Sequence, residues 1–523
     1  MKASDLPLNY NAVNIFEHNL TSRANKVAIY SAERELTFQQ VANEANQVGH
    51  ALKKLDVHPG ESVGILSPDC AEWVTSFFGI VKIGAVSVGM NTLLKPHELS
   101  YILNDSKARV LIVHAALLPS IESIRDSQEF LKHVVVIGGK PALSAVEGAR
   151  AGDPVFKEWI KNEPAELGVT PTHRDDFCSL NYSSGTTGEP KGILHAHKDY
   201  PLTAQLWGAS VLGLKESDRA FGAPRLLFTF GTGGVLIFPW YVGASTVLMA
   251  APPRIATNML ETIQRFKPTL LYNAPTCYAA MLAMDDLTSK YDLSSLRLCV
   301  SAGESLPASI WHGWKERTGL DIIDGIGSTE NFHIFISNHP NDIRHGSSGK
   351  PVPGYDVRIV DEAFNDVAEG EVGNLLVKGE TASLSYLHQY EKSRKTFLGE
   401  WLFTGDKYYK DKDGYYWHAG RSDDMLKVGG IWVSPVEVES TLISHPAVLE
   451  SAVVGHPDAS NLIKPKAFVV LKEGHSASDG LKNTLVEYCK EKMAEYKRPR
   501  WIEFVSELPK TATGKIQRFK LRG

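Results

Sequence analysis

The sequence is poor in cysteine, and none of its cysteines stands in a spacing typical of a metal site. Five cysteines are scattered over 523 residues, an odd number without any C-x-x-C pair. This pattern excludes a disulfide framework and a cysteine zinc site, and it fits a reducing compartment. No apolar core of signal-peptide length precedes Glu17. We therefore expect a cytoplasmic protein.

An excess of basic charge is also missing. The chain has 55 Lys and Arg against 60 Asp and Glu, a formal net charge of -5. Proteins that neutralise phosphate backbones usually carry a basic excess, so we expect no nucleic-acid partner. Residues 226–253 lack charge over a length that could span a bilayer, but they contain four glycines and three prolines. Such a stretch is a poor lipid-facing helix, so we expect no membrane insertion and instead a buried helix and strand.

Short β-rich runs alternate with amphipathic stretches through most of the chain, which favours an α/β fold with largely parallel sheets. After about Gly349 the pattern changes to short strands separated by Gly and Asp turns, typical of a small antiparallel barrel or sheet. A separate α+β pattern occupies the last hundred residues. We predict strands at 62–66, 110–113, 134–137, 246–249, 269–272, 297–300, 357–360, 373–377, 414–418, 450–454 and 467–472, and helices at 39–55, 435–443 and 479–493.

The predicted fold class is therefore α/β: a large N-terminal domain of stacked α/β subdomains plus a small β-barrel-like subdomain, hinged to a small α+β C-terminal domain. The Asp-rich stretch 420–424 is the expected junction. It divides the chain into residues 1–423 and 424–523.

The strongest local motif is a stretch rich in glycine and hydroxyl groups that follows a predicted strand at 177–180. Glycines let backbone N–H groups turn inward, hydroxyls add donors, and a lysine adds positive charge, so the stretch is suited to binding phosphates. It is not a Walker A loop, because Pro190 and Gly192 stand where that motif requires Gly and Ser or Thr. Its candidate residues are Ser183, Ser184, Gly185, Thr186, Thr187, Gly188 and Lys191.

Three further clusters are weaker when each is taken alone. Residues 324–330 follow a predicted strand at 321–323 and combine carboxylates with a hydroxyl, which suits Mg²⁺ or, equally, a turn with a helix cap. Asp406, expected on a tight turn, could accept hydrogen bonds from a ribose, and Arg421 could pair with phosphate. Lys515, on a Gly-containing loop near the C-terminus, could be delivered to phosphates by domain closure. As isolated strings, the last two clusters are more typical of solvated turns.

In this order and spacing, the four clusters resemble the adenylate-forming superfamily of acyl- and aryl-CoA ligases, peptide-synthetase adenylation domains and luciferases. The resemblance covers essentially the whole chain. Segments 328–338, 351–355, 423–428 and 433–437 are similar to the benzoate-CoA ligase group. Two features depart from that group: a second glycine, Gly430, follows Gly429, and Thr229 stands where Ala is expected. The second departure leaves the exact acid open.

The resemblance implies an acid-thiol ligase that uses ATP, Mg²⁺ and CoA. ATP and a small carboxylic acid would give an acyl-adenylate and pyrophosphate, and the thiol of CoA would then displace AMP. Benzoate or a similarly small aromatic or alicyclic acid is the expected substrate. The alternatives are a short or medium branched aliphatic acid, or loading of a carrier protein in trans. A P-loop ATPase would need a Walker motif, and a non-enzymatic relative would have lost the phosphate loop or Lys515.

The resemblance also implies roles for individual residues. Lys515 would bridge the carboxylate and the α-phosphate, and Thr329 with Glu330 would position phosphate and Mg²⁺, with Glu330 as the metal ligand. Asp423 would be the hinge. His333 would be a neutral wall or a hydrogen-bond donor. The remaining positions would be the phosphate loop already named, the adenine slot (Ala302, Gly303, Glu304, Asp324, Gly325, Ile326), the ribose site (Asp406, Arg421), the CoA path (Gly429, Gly430) and the acid pocket (Phe228, Thr229, Phe230, Gly231, Gly327, His333, Ile334).

Two further partners are compatible with the resemblance. The first is a second copy of the chain in a homodimer. The second is a lysine acetyltransferase or deacetylase acting on Lys515, because acetylation would remove the charge that adenylate formation needs.

Overall fold

A computed structural model of the chain describes residues 1–138, 149–150, 152–183, 190–253, 255–428, 431–458, 462–510 and 516–522. For Lys427, Ile431 and Trp432 it describes the backbone alone. Of the predicted site residues, Ser184, Gly185, Thr186, Thr187, Gly188, Gly429, Gly430 and Lys515 lie outside the described residues.

The described strands and helices alternate through the first three hundred residues and are dominated by strands afterwards. The strands are β1 (Val27–Tyr30), β2 (Glu35–Thr37), β3 (Ser62–Leu66), β4 (Val86–Gly89), β5 (Val110–His114), β6 (His133–Ile137), β7 (Phe177–Ser183), β8 (Lys191–Ala196), β9 (Arg219–Gly222), β10 (Ser245–Val247), β11 (Leu270–Asn273), β12 (Leu298–Ser301), β13 (Ile322–Gly327), β14 (Ile334–Ser337), β15 (Lys350–Pro351), β16 (Asp356–Val360), β17 (Gly373–Lys378), β18 (Phe397–Leu398), β19 (Trp401–Lys410), β20 (Tyr416–Arg421), β21 (Leu426–Val428), β22 (Ile431–Val433), β23 (Val448–Pro457), β24 (Ile463–Leu471) and β25 (Trp501–Phe504).

The α-helices are α1 (Asn14–Glu17), α2 (Leu20–Arg23), α3 (Phe38–Lys54), α4 (Ala71–Lys82), α5 (Pro96–Asp105), α6 (Leu118–Glu122), α7 (Phe156–Ile160), α8 (Asp199–Thr203), α9 (Thr229–Gly231), α10 (Phe238–Tyr241), α11 (Ala256–Phe266), α12 (Pro275–Leu282), α13 (Leu287–Lys290), α14 (Ala308–Thr318), α15 (Tyr390–Thr396), α16 (Pro435–Ile443) and α17 (Asp479–Lys492). A π-helical segment, Thr232–Ile237, joins α9 to α10 without a break.

Two large sheets form the N-terminal part. The first has the order β6-β5-β3-β4-β7-β8, and only the β7–β8 pair is antiparallel. The second has the order β15-β14-β13-β12-β11-β9-β10-β1-β2, with a parallel centre and antiparallel edges. Helices lie between the two sheets and on both outer faces, as expected for sheets that bury both sides.

Helix α3 shows how the sequence builds the layer between the sheets. Thr37 and Gln40 form a capping box that satisfies the first backbone N–H groups. Buried positions such as Val41, Ala45 and Val48 recur every three to four residues, so one face of the helix packs into the shared core. Trp240 of α10 belongs to the same core and stacks on Phe78 of α4, with ring centroids 5.4 Å apart.

Residues after β15 form smaller sheets. Strands β16 to β20 make a five-stranded antiparallel sheet, as predicted. From Leu426 onward the described residues build their own apolar clusters around β23, β24, α16 and α17. This arrangement agrees with the predicted fold class. The division at residue 423 stays a prediction.

Residues 226–253 form a buried helix followed by strand β10, as the sequence predicted. Among the described residues, none of the helices has the length and apolar character that crossing a membrane requires.

Candidate active site

The phosphate-binding motif begins and ends on an antiparallel hairpin. Ser183, the last residue of β7, lies opposite Lys191, the first residue of β8. The structure does not describe the residues between Ser183 and Pro190. The Lys191 side chain is partly buried, and this burial lowers its pKa although the nearby Glu330 carboxylate acts against the shift. A cation with reduced hydration of this kind is suited to pairing with phosphate.

The turn that carries Thr329 and Glu330 is a 3-10 helix over Thr329–Asn331, capped by the Ser328 hydroxyl. Nε2 of buried His195 lies 2.7 Å from the Thr329 carbonyl oxygen, and Nδ1 lies 2.9 Å from Asp199. A carbonyl oxygen can only accept, so Nε2 of His195 donates to it. The sequence did not indicate His195, which holds this turn against β8.

Asp324, expected directly after a short strand at 321–323, instead lies inside β13. It faces Ser301 of β12, whose strand leads directly into Ala302, Gly303 and Glu304. Pairing of β13 with β14 extends the strand to Gly327, so this prediction was wrong in its local structure. Burial raises the pKa of Asp324 well above its ordinary range. The predicted adenine residues therefore lie within β13 and directly after the end of the neighbouring strand β12.

Asp406 was also predicted on a tight turn, and it lies within β19, opposite Arg421 of β20. Nη1 of Arg421 donates to Oδ1 of Asp406 over 3.0 Å. Burial alone would raise the pKa of Asp406, but Arg421 and His418 together lower it to about 2. His418 was not predicted. Its Nδ1 lies 2.6 Å from the hydroxyl of Ser305, which follows the predicted adenine-binding residues 302–304. His418 therefore connects that segment with the predicted ribose-binding residue Asp406.

The predicted acid-pocket residues lie on α9 and around His333. Nε2 of His333 lies 3.3 Å from the Phe230 carbonyl oxygen. The His333 ring lies 4.9 Å from the ring of Trp207 and 4.6 Å from that of Phe238. Burial among these rings lowers the pKa of His333 to about 3, so its imidazole is neutral at physiological pH. This is consistent with the expectation of a neutral wall.

Close approach of backbone to ring explains a glycine that the sequence did not single out. A Cβ on Gly233 would lie 2.4 Å from Cδ2 of His333. Any larger residue would therefore displace the His333 ring. Trp207 and Gly233 escaped prediction because they are distant in sequence from the motif they pack against.

The predicted hinge residue, Asp423, lies between the ribose site and the C-terminal part. Its carbonyl oxygen accepts a hydrogen bond from Nη2 of Arg522 over 2.8 Å. The next residue, Asp424, pairs with Arg518 and Arg522. Arg522 thus contacts the predicted hinge residue itself, and Arg518 contacts the residue that follows it.

Charges from separate segments converge at this site. Lys191 interacts electrostatically with Glu330, Arg421 and Asp423, and Arg421 interacts with Asp406 as well. Among the described residues, no group of three or more His, Cys, Asp or Glu side chains could hold a metal. Mg²⁺ needs no such cage, because it takes one or two carboxylates together with phosphate oxygens and water. The single partly exposed carboxylate of Glu330 fits a metal that arrives with a nucleotide.

Family comparison accounts for nearly the whole chain. The AMP-binding enzyme family matches residues 16–387, and the AMP-binding enzyme C-terminal domain matches residues 437–515. The chain therefore belongs to the AMP-binding enzyme family.

Individual relatives are similar over their full length. A benzoate-CoA ligase of Thauera aromatica is 44% identical, over 99% of this chain and 97% of that protein. The crystal structure of the anthranilate CoA ligase AuaEII with anthranoyl-AMP has a TM-score of 0.96 and 66% identity, covering 100% of this chain and 98% of that one. A benzoate CoA ligase from Burkholderia xenovorans LB400 has a TM-score of 0.90 and 40% identity, covering 98% and 100%. These neighbours confirm the predicted fold class.

Proposed function

We propose that this chain is an ATP-dependent, AMP-forming acid-CoA ligase for a benzoate-sized aromatic acid. The observation that carries the proposal is the convergence of Lys191, Glu330, Asp406 and Arg421, from four separate segments, at one site. Full-length similarity to ligases named for benzoate and anthranilate supports the same reaction.

The reaction proceeds in two steps with the residues in these roles. The acid's carboxylate oxygen attacks the α-phosphorus of ATP, and pyrophosphate leaves. Lys515 stabilises the charge that develops at the α-phosphate, and Lys191 with the loop before it binds the outer phosphates. The sulfur of CoA then attacks the acyl carbon of the adenylate, AMP leaves, and the thiol proton passes to solvent. Gly429 and Gly430 line the approach of the CoA arm.

Nucleotide recognition falls to residues that the fold already holds in place. Asp406 is kept ionised by Arg421, so it can accept from both ribose hydroxyls. The adenine lies against Ala302, Gly303 and Glu304, beside Asp324, Gly325 and Ile326. Mg²⁺, held by Glu330 and phosphate oxygens, would neutralise charge on the leaving pyrophosphate.

Among aromatic acids, we propose anthranilate first and benzoate second. The reason is that similarity is greater to the structure named for anthranilate (66% identity) than to the relative named for benzoate (44% identity). The aromatic rings around His333 provide a flat, apolar wall that suits a benzene ring. His333 stays neutral and does not act as a base, because the acid arrives ionised.

The proposal is tested by acid-dependent AMP release with CoA present. The kcat/KM values are compared for anthranilate, benzoate, hydroxybenzoates, cyclohexanecarboxylate, a branched aliphatic acid and palmitate. We expect anthranilate or benzoate to exceed the aliphatic acids by about tenfold or more. Activity that rises steadily with chain length to palmitate would contradict the aromatic assignment. Activity with a phosphopantetheine carrier protein, but not with free CoA, would favour carrier loading.

Replacing Thr229 by alanine is expected to change the choice of acid. The substitution removes about two heavy atoms beside the proposed ring site and so favours ring-substituted benzoates. A change of this size alters relative kcat/KM by about 10–200-fold. The matched control is Thr288→Ala, because Thr288 is an exposed threonine on α13. This variant should leave the ratio of kcat/KM values between acids unchanged. An unaltered ratio in Thr229→Ala would remove this residue from the pocket.

Three further points belong to the proposal. The cytoplasm is the expected compartment, since all five cysteines are unpaired. A homodimer is testable by light scattering.

Acetylation of Lys515 should abolish adenylate formation, and an acetylated sample with full activity would refute that form of regulation.

A further inference from the structure

Residues 383–389, which we call the strap, connect the two elements proposed to bind ATP phosphates. At one end, the backbone N–H of Ser383 donates to the Glu330 carbonyl oxygen over 2.7 Å. At the other end, the N–H of Leu387 donates to the Gly192 carbonyl oxygen over 2.8 Å, and Tyr386 forms a β-bridge with Ile193. The strap therefore fixes the Thr329–Asn331 turn relative to strand β8.

Tyr386 is the strap residue whose side chain contacts both elements. Its hydroxyl donates to Oε1 of Glu330 over 2.8 Å. The face of its ring lies 4.9 Å from Nζ of Lys191. The residue itself is 4% exposed, and its backbone N–H donates to the Ser393 hydroxyl over 2.9 Å, so the ring has little freedom to move.

This placement solves an electrostatic problem. Lys191 and Glu330 attract each other, and a direct ion pair would neutralise the two charges that phosphate and Mg²⁺ need. Among the described residues, Lys191 makes no ion pair within 4.0 Å. Tyr386 gives each charge a different partner: a hydroxyl donor for one carboxylate oxygen and a ring face for the ammonium.

We propose that Tyr386 is a positioning residue that holds Lys191 and Glu330 apart in the Mg²⁺-nucleotide site. The inference rests on the proposed function, because it assumes that the site binds Mg²⁺ and ATP. Tyr386 acts through its two neighbours and contacts neither reacting atom. Its hydroxyl orients Glu330, the proposed metal ligand, and its ring positions Lys191, which is proposed to bind phosphate.

The two contacts can be separated by substitution. Tyr386→Phe keeps the ring face that contacts Lys191 and removes the hydroxyl, so only the Glu330 carboxylate loses the donor that orients it for the metal. ATP binding, measured by calorimetry without acid or CoA, should weaken by about tenfold in Mg²⁺ and remain unchanged in EDTA. Tyr386→Leu also removes the ring face, so its affinity should fall by about fivefold even in EDTA.

Tyr390→Phe is the matched control, because Tyr390 is 76% exposed and lies next to the strap. It should bind ATP like the wild type in both conditions. A Glu330→Gln variant should be insensitive to a second Tyr386→Phe change in Mg²⁺, which holds even if the tyrosine variant is less stable.

Two results would overturn the inference. Tyr386→Phe could bind ATP as well as the wild type at every Mg²⁺ concentration, or it could lose equal affinity with and without Mg²⁺, as a merely structural role predicts. A wild-type protein that binds no ATP would instead refute the proposed function, and the inference with it.

Discussion

Lys515→Ala is expected to slow adenylate formation by about 10²–10³-fold, the usual effect of removing one donor that stabilises transition-state charge. By resemblance to adenylate-forming enzymes, this lysine would contact the α-phosphate only in the first of two domain orientations. The variant should therefore still convert a supplied acyl-adenylate and CoA to the thioester at a near wild-type rate. The two rates are acid-dependent pyrophosphate release and thioester formation from synthetic adenylate.

The opposite variant provides the control. Gly430→Leu places a branched side chain on the proposed path of the CoA arm, so it should spare pyrophosphate release and slow thioester formation. Equal losses of both rates in Lys515→Ala would contradict the alternating-domain mechanism. Both residues lie outside the described part of the chain, so their roles rest on the family resemblance.

The fold was predictable because buried parallel strands appear in the sequence as continuous apolar runs. Strand β3 matches its predicted range, and α16 does so as well. Boundaries were less accurate where neighbouring strands decide them. The strand predicted at 246–249 instead spans Ser245–Val247, because its pairing with β9 begins at Ser245 and its pairing with β1 ends at Val247. Pairing partners are not visible in a local window of sequence.

Asp324 and Asp406 illustrate the same limit within the site. Asp406 was predicted on a tight turn and Asp324 just beyond the end of a strand, because Asp and Gly favour turns, but sheet pairing overrode this local preference. Their proposed functions do not depend on this difference, because Asp324 still lies opposite Ser301 and Asp406 opposite Arg421. The sequence therefore predicted which carboxylates belong to the proposed site, but not the backbone structure in which they lie.

The supporting residues could not be predicted at all. Tyr386 contacts Glu330 across 56 positions of sequence, and His195 contacts Thr329 across 134. Neither carries a spacing signal, since each acts through a contact that only the folded chain creates. Motifs gave the residues proposed to touch ATP, and the structure adds those that hold them.

The C-terminal part contains a partly buried ion cluster that connects several of its segments. Arg518 donates from Nε and Nη2 to the two carboxylate oxygens of Glu439, over 2.9 and 2.6 Å. Oε1 of Glu439 also accepts from the backbone N–H of Val453, which ties α16 to β23. Nη1 of Arg518 lies 3.5 Å from Asp424, beside the predicted hinge. Three segments of the chain therefore depend on one guanidinium group.

Arg518→Met should lower the free energy of unfolding of this part by about 3 kcal/mol, because it leaves the Glu439 carboxylate largely buried without its cation. Hydrogen exchange of the β23 amides should accelerate by about 10²-fold, while the amides of β3 keep their wild-type rates. Adding Glu439→Gln should recover part of the loss, since the amide oxygen still accepts from Val453 and no charge remains unpaired. Lys482→Met removes an exposed ion pair with Asp479 and is the matched control, with an expected cost of about 0.5 kcal/mol or less. Unchanged exchange of the β23 amides in Arg518→Met would contradict the role assigned to this guanidinium group.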